Sequence, residues 1–132
     1  MFMETKYNYK KLDVYQESKK LVTMVYSLIK KFPREEQYAL CDQLRRAVIS
    51  IPSNIAEGFG RYSSKEQVHF FEIAYGSLRE VDCQMDIACD LAYISPSEQA
   101  EVETQVNKVS AILAGLRNKR LSTSSTPNPL TH

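Results

Sequence analysis

Apolar residues recur every three or four positions through four long stretches of this 132-residue chain. That period places them on one side of an α-helix. In the first stretch Val14, Ser18, Leu21, Val25, Leu28 and Phe32 form a seam, predicting a helix from about Leu12 to Phe32 that Pro33 stops. In the second, Leu44, Val48, Ile51 and Ile55 predict a helix from Arg34 or Glu35 to Glu57. There Glu35 and Glu36 suit the positive helix end, and Gly58 is the expected stop. Pro52 lies inside it and predicts a bend or local break, because its ring crowds the Val48 carbonyl and donates no hydrogen bond.

The third stretch opens on Ser63 or Ser64, each with a Glu or Gln three residues on, the spacing of a capping box. Phe71, Ala74, Leu78, Val81, Met85, Ala88 and Ala92 keep the rhythm, and Phe70, Ile73, Ile87, Leu91 and Ile94 add a flanking row. Such a face is wider than one partner helix needs, which suits a central helix or one that meets another subunit. Ser95-Pro96-Ser97-Glu98 opens the fourth helix, with Pro near its first position. Val102, Val106, Val109, Leu113 and Leu116 then carry its seam to about Lys119. Four long amphipathic helices on short loops predict an all-α fold, an antiparallel up-down-up-down four-helix bundle over residues 11–121. Residues 1–10 form an expected N-terminal arm, with Phe2, Tyr7 and Tyr9 packing back. Residues 122–132 (STSSTPNPLTH) form an expected disordered tail.

Composition adds limits rather than an activity. Hydrophobic content of 43% and charged content of 25% are those of an ordinary globular chain, and a net charge of +1 gives no global case for nucleic acid. The charges are nevertheless segregated. Every charged residue from Glu80 to Glu103 is acidic, whereas Lys6, Lys10, Lys11, Lys19, Lys20, Lys30, Lys31 and Arg34 lie early and Lys108, Arg117, Lys119 and Arg120 late. These are either solvated helix faces or complementary surfaces on neighbouring copies. Cys41, Cys83 and Cys89 are odd in number and set among apolar residues, so they read as buried core thiols of a reducing compartment. With no signal-peptide core in Met1–Lys11 and no apolar run of membrane length, a cytoplasmic location and no membrane partner are expected.

Few residues point to chemistry. Glu66-x-x-His69 has di-iron spacing, but His69 is the only histidine outside the tail, so one chain cannot complete that site. There is no Cys-x-x-Cys pair, and Gly58-x-Gly60 follows a helix and lacks a third glycine. No catalytic constellation, metal or cofactor is expected, and the chain reads as non-enzymatic. One feature stands apart: Arg46, Ser50, Asn54, Glu57 and Arg61 make a polar seam on one face of the proline-bearing helix. One reading is a buried or half-buried network fixing register, with Glu57 paired to an arginine and Asn54 to backbone. A second is a binding surface in which Arg46 and Arg61, helped by Arg45, Tyr62 and Lys65, grip phosphate, as of a nucleic acid, or a carboxylate, with Phe59 and Tyr62 near to stack on bases; a third is an exposed, idle face.

The run Arg45-Arg46-Ala47-Val48-Ile49-Ser50-Ile51-Pro52-Ser53-Asn54-Ile55-Ala56-Glu57-Gly58, then Gly60-Arg61, Phe71-x-x-x-Ala74-x-Gly76-Ser77-Leu78-x-Glu80 and Leu91-x-Tyr93-Ile94, carries a resemblance. From about Tyr7 to Leu116 the chain resembles the bacterial four-helix-bundle proteins, also called the 23S ribosomal RNA intervening-sequence protein family. That resemblance implies a subunit of a ring, commonly a homopentamer, with no established enzymatic activity. It marks Arg46, Asn54, Glu57, Arg61, Ser77 and Glu80 as determinants of the bundle and its assembly. The family is also similar to accessory proteins of diversity-generating retroelements, basic pentameric barrels that bind nucleic acid and a reverse transcriptase. This chain departs from them in being nearly neutral. The expectation is a homo-oligomeric scaffold or adaptor whose acidic and basic surfaces meet head to tail. The alternative is an accessory protein binding RNA or DNA through a basic rim of the assembled ring, with a reverse transcriptase as a possible protein partner.

Overall fold

The computed structural model describes residues 8–125, and within them the chain forms four α-helices and two short 3-10 turns, Tyr9–Lys11 and Arg34–Glu36. The helices are α1 (Asp13–Ile29), α2 (Leu40–Phe59), α3 (Ser64–Asp90) and α4 (Pro96–Ser125). No strand occurs among the described residues. Packing runs round the bundle, α1 on α2, α2 on α3, α3 on α4 and α4 on α1.

Cross-helix contacts give the register. Gln43 bonds Gln84 and Ser50 bonds Ser77, while Phe59 meets Phe71, so α2 and α3 run antiparallel. Gln99 bonds Asp86, Tyr75 bonds the Ser110 carbonyl and Arg120 bonds Gln67, so α3 and α4 do likewise. Lys31 pairs with Glu98 while Gln105 and Lys108 reach back to Glu17, which sets α1 against α4 in the same sense. The fold is therefore the antiparallel four-helix bundle that the periodicity predicts.

The seams fill its centre. Leu21, Val25, Leu44, Ile51, Ile55, Phe71, Leu78, Val81, Met85, Val109 and Leu113 are all buried. On α1 the buried row is Val14, Ser18, Leu21, Val25 and Ile29; Leu28, expected in that row, is only half-buried. Ser18 is tolerated in the core because its hydroxyl donates to the Tyr15 carbonyl at 2.7 Å. Helix α2 is unbroken across Pro52, whose ring is buried. The α1–α4 face is closed by Gln105, whose amide donates to the Glu17 carbonyl at 2.8 Å and carboxylate at 2.9 Å. That bond first, then Lys20 and Lys108, hold the Glu17 carboxyl at a pKa of about 2.

Five boundaries differ from the sequence reading, the first being that α1 ends at Ile29 rather than at Phe32 before Pro33. Helix α2 starts at Leu40, not Arg34 or Glu35, because Gln37 is captured elsewhere. Its amide donates to the Ile29 and Phe32 carbonyls at the end of α1, and Arg45 donates to its backbone and side-chain oxygens at 3.1 and 2.9 Å. Gly58 does not stop α2; it is buried inside the helix, which ends at Phe59 and Gly60. Helix α3 ends at Asp90, so Ala92 belongs to the turn rather than the seam, at φ 64°. Helix α4 runs on to Ser125, so the expected tail from 122 begins as helix; its remainder, 126–132, lies outside the described residues, as do Phe2 and Tyr7 of the arm. Tyr9, as expected, packs back, edge-on to Tyr15.

Of the cysteines only Cys41 is a core thiol; Cys83 is exposed and Cys89 half-buried, because positions 83 and 89 lie beside rather than within the α3 seam. No helix among the described residues is long and apolar enough to cross a membrane.

Candidate functional site

Side chains of the seam lie along the edge of α2 that borders α3, because positions 46, 50, 54 and 57 advance by three or four and so keep one side of the helix. Opposite them, Ser77, Glu80 and Gln84 keep the bordering edge of α3. Between the two edges is an open groove of about 540 Å³ lined by Gln43, Arg46, Ala47, Ser50, Ser77 and Glu80.

Its floor is a short hydrogen-bonded chain. The buried Ser77 hydroxyl donates to the Ser50 hydroxyl at 2.9 Å, and the Asn54 amide donates to the same oxygen at 2.9 Å and to the Ser50 carbonyl at 2.8 Å. Gln84, 8% exposed, donates to the Gln43 side-chain oxygen at 3.0 Å and to the Glu80 carboxylate at 3.4 Å. Its own carbonyl oxygen is buried without a partner. A buried acceptor left unmet costs stability, so α2 and α3 hold this groove at some expense. On the rim, the Arg46 side chain is 80% exposed and, among the described residues, reaches only Asp42, at 3.7 Å.

The seam is therefore not one network. It divides into Arg46 with Asp42, then Ser50 with Asn54 and Ser77, then Glu57 with Arg61 at 2.6 Å. The last two pairings are those of the network reading, Glu57 to an arginine and Asn54 to backbone. Exposure rises from the buried Ser77 to the exposed Arg46 and Glu57. The sequence reading missed Gln43, which lines the groove, and Gln84, which bonds it from α3. Gln84 falls at helical spacing between Ile73 and Ile87 of the flanking row of α3, three residues before Ile87, and that position was the available signal.

The five residues grouped as nucleic-acid contacts do not form one patch. Arg45 is committed to Gln37 and to Asp42 at 3.1 Å, and with Arg46 it sits at the start of α2. Arg61, Tyr62 and Lys65 sit past its far end, roughly 20 Å away at 1.5 Å per residue. There Arg61 lies over the Phe70 ring at 4.8 Å, its Nε buried without a partner, beside Lys65, Glu66 and His69 in a second open groove of about 540 Å³. Tyr62 is 90% exposed and stacks on no ring among the described residues. Phe59 instead packs on Phe71 and lies under Arg120 at 5.2 Å. Among the described residues no three metal-ligating side chains gather, Glu66 and His69 included.

An antiparallel four-helix bundle with a polar groove along one helix pair defines a helical-bundle protein. Within that class the chain belongs to the 23S rRNA-intervening sequence protein family, whose sequence profile matches residues 10–115. A crystal structure of a protein of unknown function from the S23 ribosomal protein family of Bacteroides thetaiotaomicron shares the fold. The TM-score is 0.73 at 17% identity, covering 79% of this chain and 97% of that one. No curated protein matches the chain.

Proposed function

We propose that this protein is a non-enzymatic building block whose copies associate into a closed ring, a homopentamer, serving as a cytoplasmic scaffold or adaptor. One observation carries the reading: α3 leaves Ile73 and Ile87 at 39% and 44% exposure and its C-cap Leu91 at 50%, on the strip that also carries Ser77, Glu80 and Gln84. Isolated exposed apolar residues are ordinary, but a row of them along one helix is what a subunit interface uses. The charge segregation supports head-to-tail contact, since α3 and α4 carry only acidic charges from Glu80 to Glu103. Light scattering at micromolar concentration tests it. The expected mass is a multiple of 15.1 kDa, five-fold for the pentamer; a mass of one chain refutes it.

A second reading, nucleic-acid binding through a basic rim, is favoured by the groove of Arg61, Lys65 and His69 at the opening of α3. Repetition round a ring multiplies such a patch. Its signature is RNA or DNA affinity that falls steeply with salt and is lost in Lys65→Glu. Salt-independent binding, or none at low salt, removes it.

A further inference from the structure

We infer that the α2–α3 groove is the receiving half of the contact between copies, and that its occupant is Arg79 of a second copy, paired to Glu80. The inference rests on the ring reading above and gives it an address.

Arg79 and Glu80 are neighbours in sequence and both exposed, about 100° apart round α3. Neither makes an ion pair among the described residues. Glu80 accepts only the long Gln84 bond at 3.4 Å, which holds its carboxylate on the groove wall. Arg79 has no polar partner among the described residues. Two unmet charges of opposite sign therefore project from one level of one helix, to either side of its outward face. A single copy cannot join them in the groove, because Arg79 lies on the far side of α3 from α2. A neighbour can. In a closed ring whose axis runs along the bundle, successive copies differ by rotation alone, so residues meet others at their own height. Arg79 of one copy then arrives level with Glu80 of the next.

The surroundings fit a guanidinium. Beyond Glu80 the groove offers the Ser50 and Ser77 hydroxyls and the Gln43 side-chain oxygen, its rim Arg46 is turned toward Asp42 at 3.7 Å, and it is open enough for a planar side chain at about 540 Å³. Ile73 and Ile87 flank it along α3, each two turns from Glu80, and exclude water from the pair when covered. On the approaching side Gly76, one turn before Arg79, has open space around it, so backbone can come close.

Charge exchange tests this. Wild-type protein and the variants Arg79→Glu, Glu80→Arg and Arg79→Glu/Glu80→Arg are compared by sedimentation across a dilution series, with far-UV circular dichroism confirming helix content. Each single variant is expected to raise the dissociation midpoint by about tenfold or more, as removal of a close interfacial charge pair does. The double variant is expected to return most of that loss. Milder Arg79→Ala and Glu80→Gln variants replace any single variant that loses helix. If the wild type is itself one chain, the ring reading and this inference fall together. If it is oligomeric and the single variants assemble unchanged, or the double variant is no better than either, only this inference falls. Rescue of Glu80→Arg by Arg46→Glu instead of Arg79→Glu places the partner of Glu80 within its own chain, and overturns it too.

Discussion

Two helix corners of this bundle use small residues in opposite ways. At the α2–α3 corner the chain has Gly58 and Gly60, yet neither has a positive φ. Gly58 is there for space: a Cβ on it would stand 2.6 Å from Cε1 and 3.0 Å from Cδ1 of the buried Phe71 ring. At the α3–α4 corner the backbone does enter the left-handed region, at φ 64°, and the residue there is Ala92. The amide of Ala92 donates to the Cys89 carbonyl and that of Tyr93 to the Ala88 carbonyl, both at 2.9 Å, which is a Schellman ending that glycine ordinarily occupies. Glycine thus sits where packing demands it and is absent where conformation would favour it. The first corner is limited by side-chain volume and the second by backbone strain.

Three substitutions separate those limits. The largest effect is expected at Phe71→Ala, which empties the space that Gly58 was kept small to admit; chemical denaturation should show a loss of about 3–5 kcal/mol. Gly58→Ala should also destabilise, by about 1–3 kcal/mol, because overpacking against a buried ring outweighs the roughly 1 kcal/mol gain in helix propensity. A stability gain there would show that the ring yields and would remove the packing side of the comparison. Ala92→Gly should have the opposite sign, stabilising by about 1 kcal/mol as left-handed strain is relieved. A loss at that position would mean that unfolded-state entropy decides the corner instead.

The smallest effects are electrostatic. Both corners open the next helix with a serine cap, Ser63 to the Glu66 amide and Ser95 to the Glu98 amide, each at 3.1 Å. Only at the second does the glutamate reply to the cap backbone, Glu98 accepting from the Ser95 amide at 2.9 Å. Its pairing with Lys31 first, and that backbone bond second, hold the Glu98 carboxyl below its ordinary 4.5. A depressed carboxyl lends stability above the unfolded pKa, and the contribution disappears as pH falls below about 4.5. Glu98→Gln should therefore flatten the acid limb of a thermal-unfolding profile. An unchanged limb would show that this cap carries no proton linkage.

Much of this was legible in the residues. The seams at 71, 74, 78, 81 and 85 and at 102, 106, 109 and 113 placed α3 and α4 on their buried faces, and the Ser63–Glu66 spacing marked the start of α3. The Ser95–Glu98 pair has the same spacing and forms the fuller box, with Glu98 accepting from the Ser95 amide. The start of α2 was misplaced because Glu35 and Glu36 favour a helix locally, whereas Gln37 is taken by the carbonyls of α1 and by Arg45. The face shared by Arg46, Ser50 and Asn54 was visible; that Ser77, Gln43 and Gln84 complete it was not.

By itself the sequence determined the number of helices, their inward faces and the family, because hydrophobic periodicity is a local property that burial must respect wherever a helix packs. Only the tertiary structure decided that the polar edge of α2 stands open beside α3, that Gly58 serves Phe71, and that Arg45 is spent while Arg46 projects. Those outcomes depend on which side chains meet across helices, and that is set by register and volume between distant segments rather than by spacing within one.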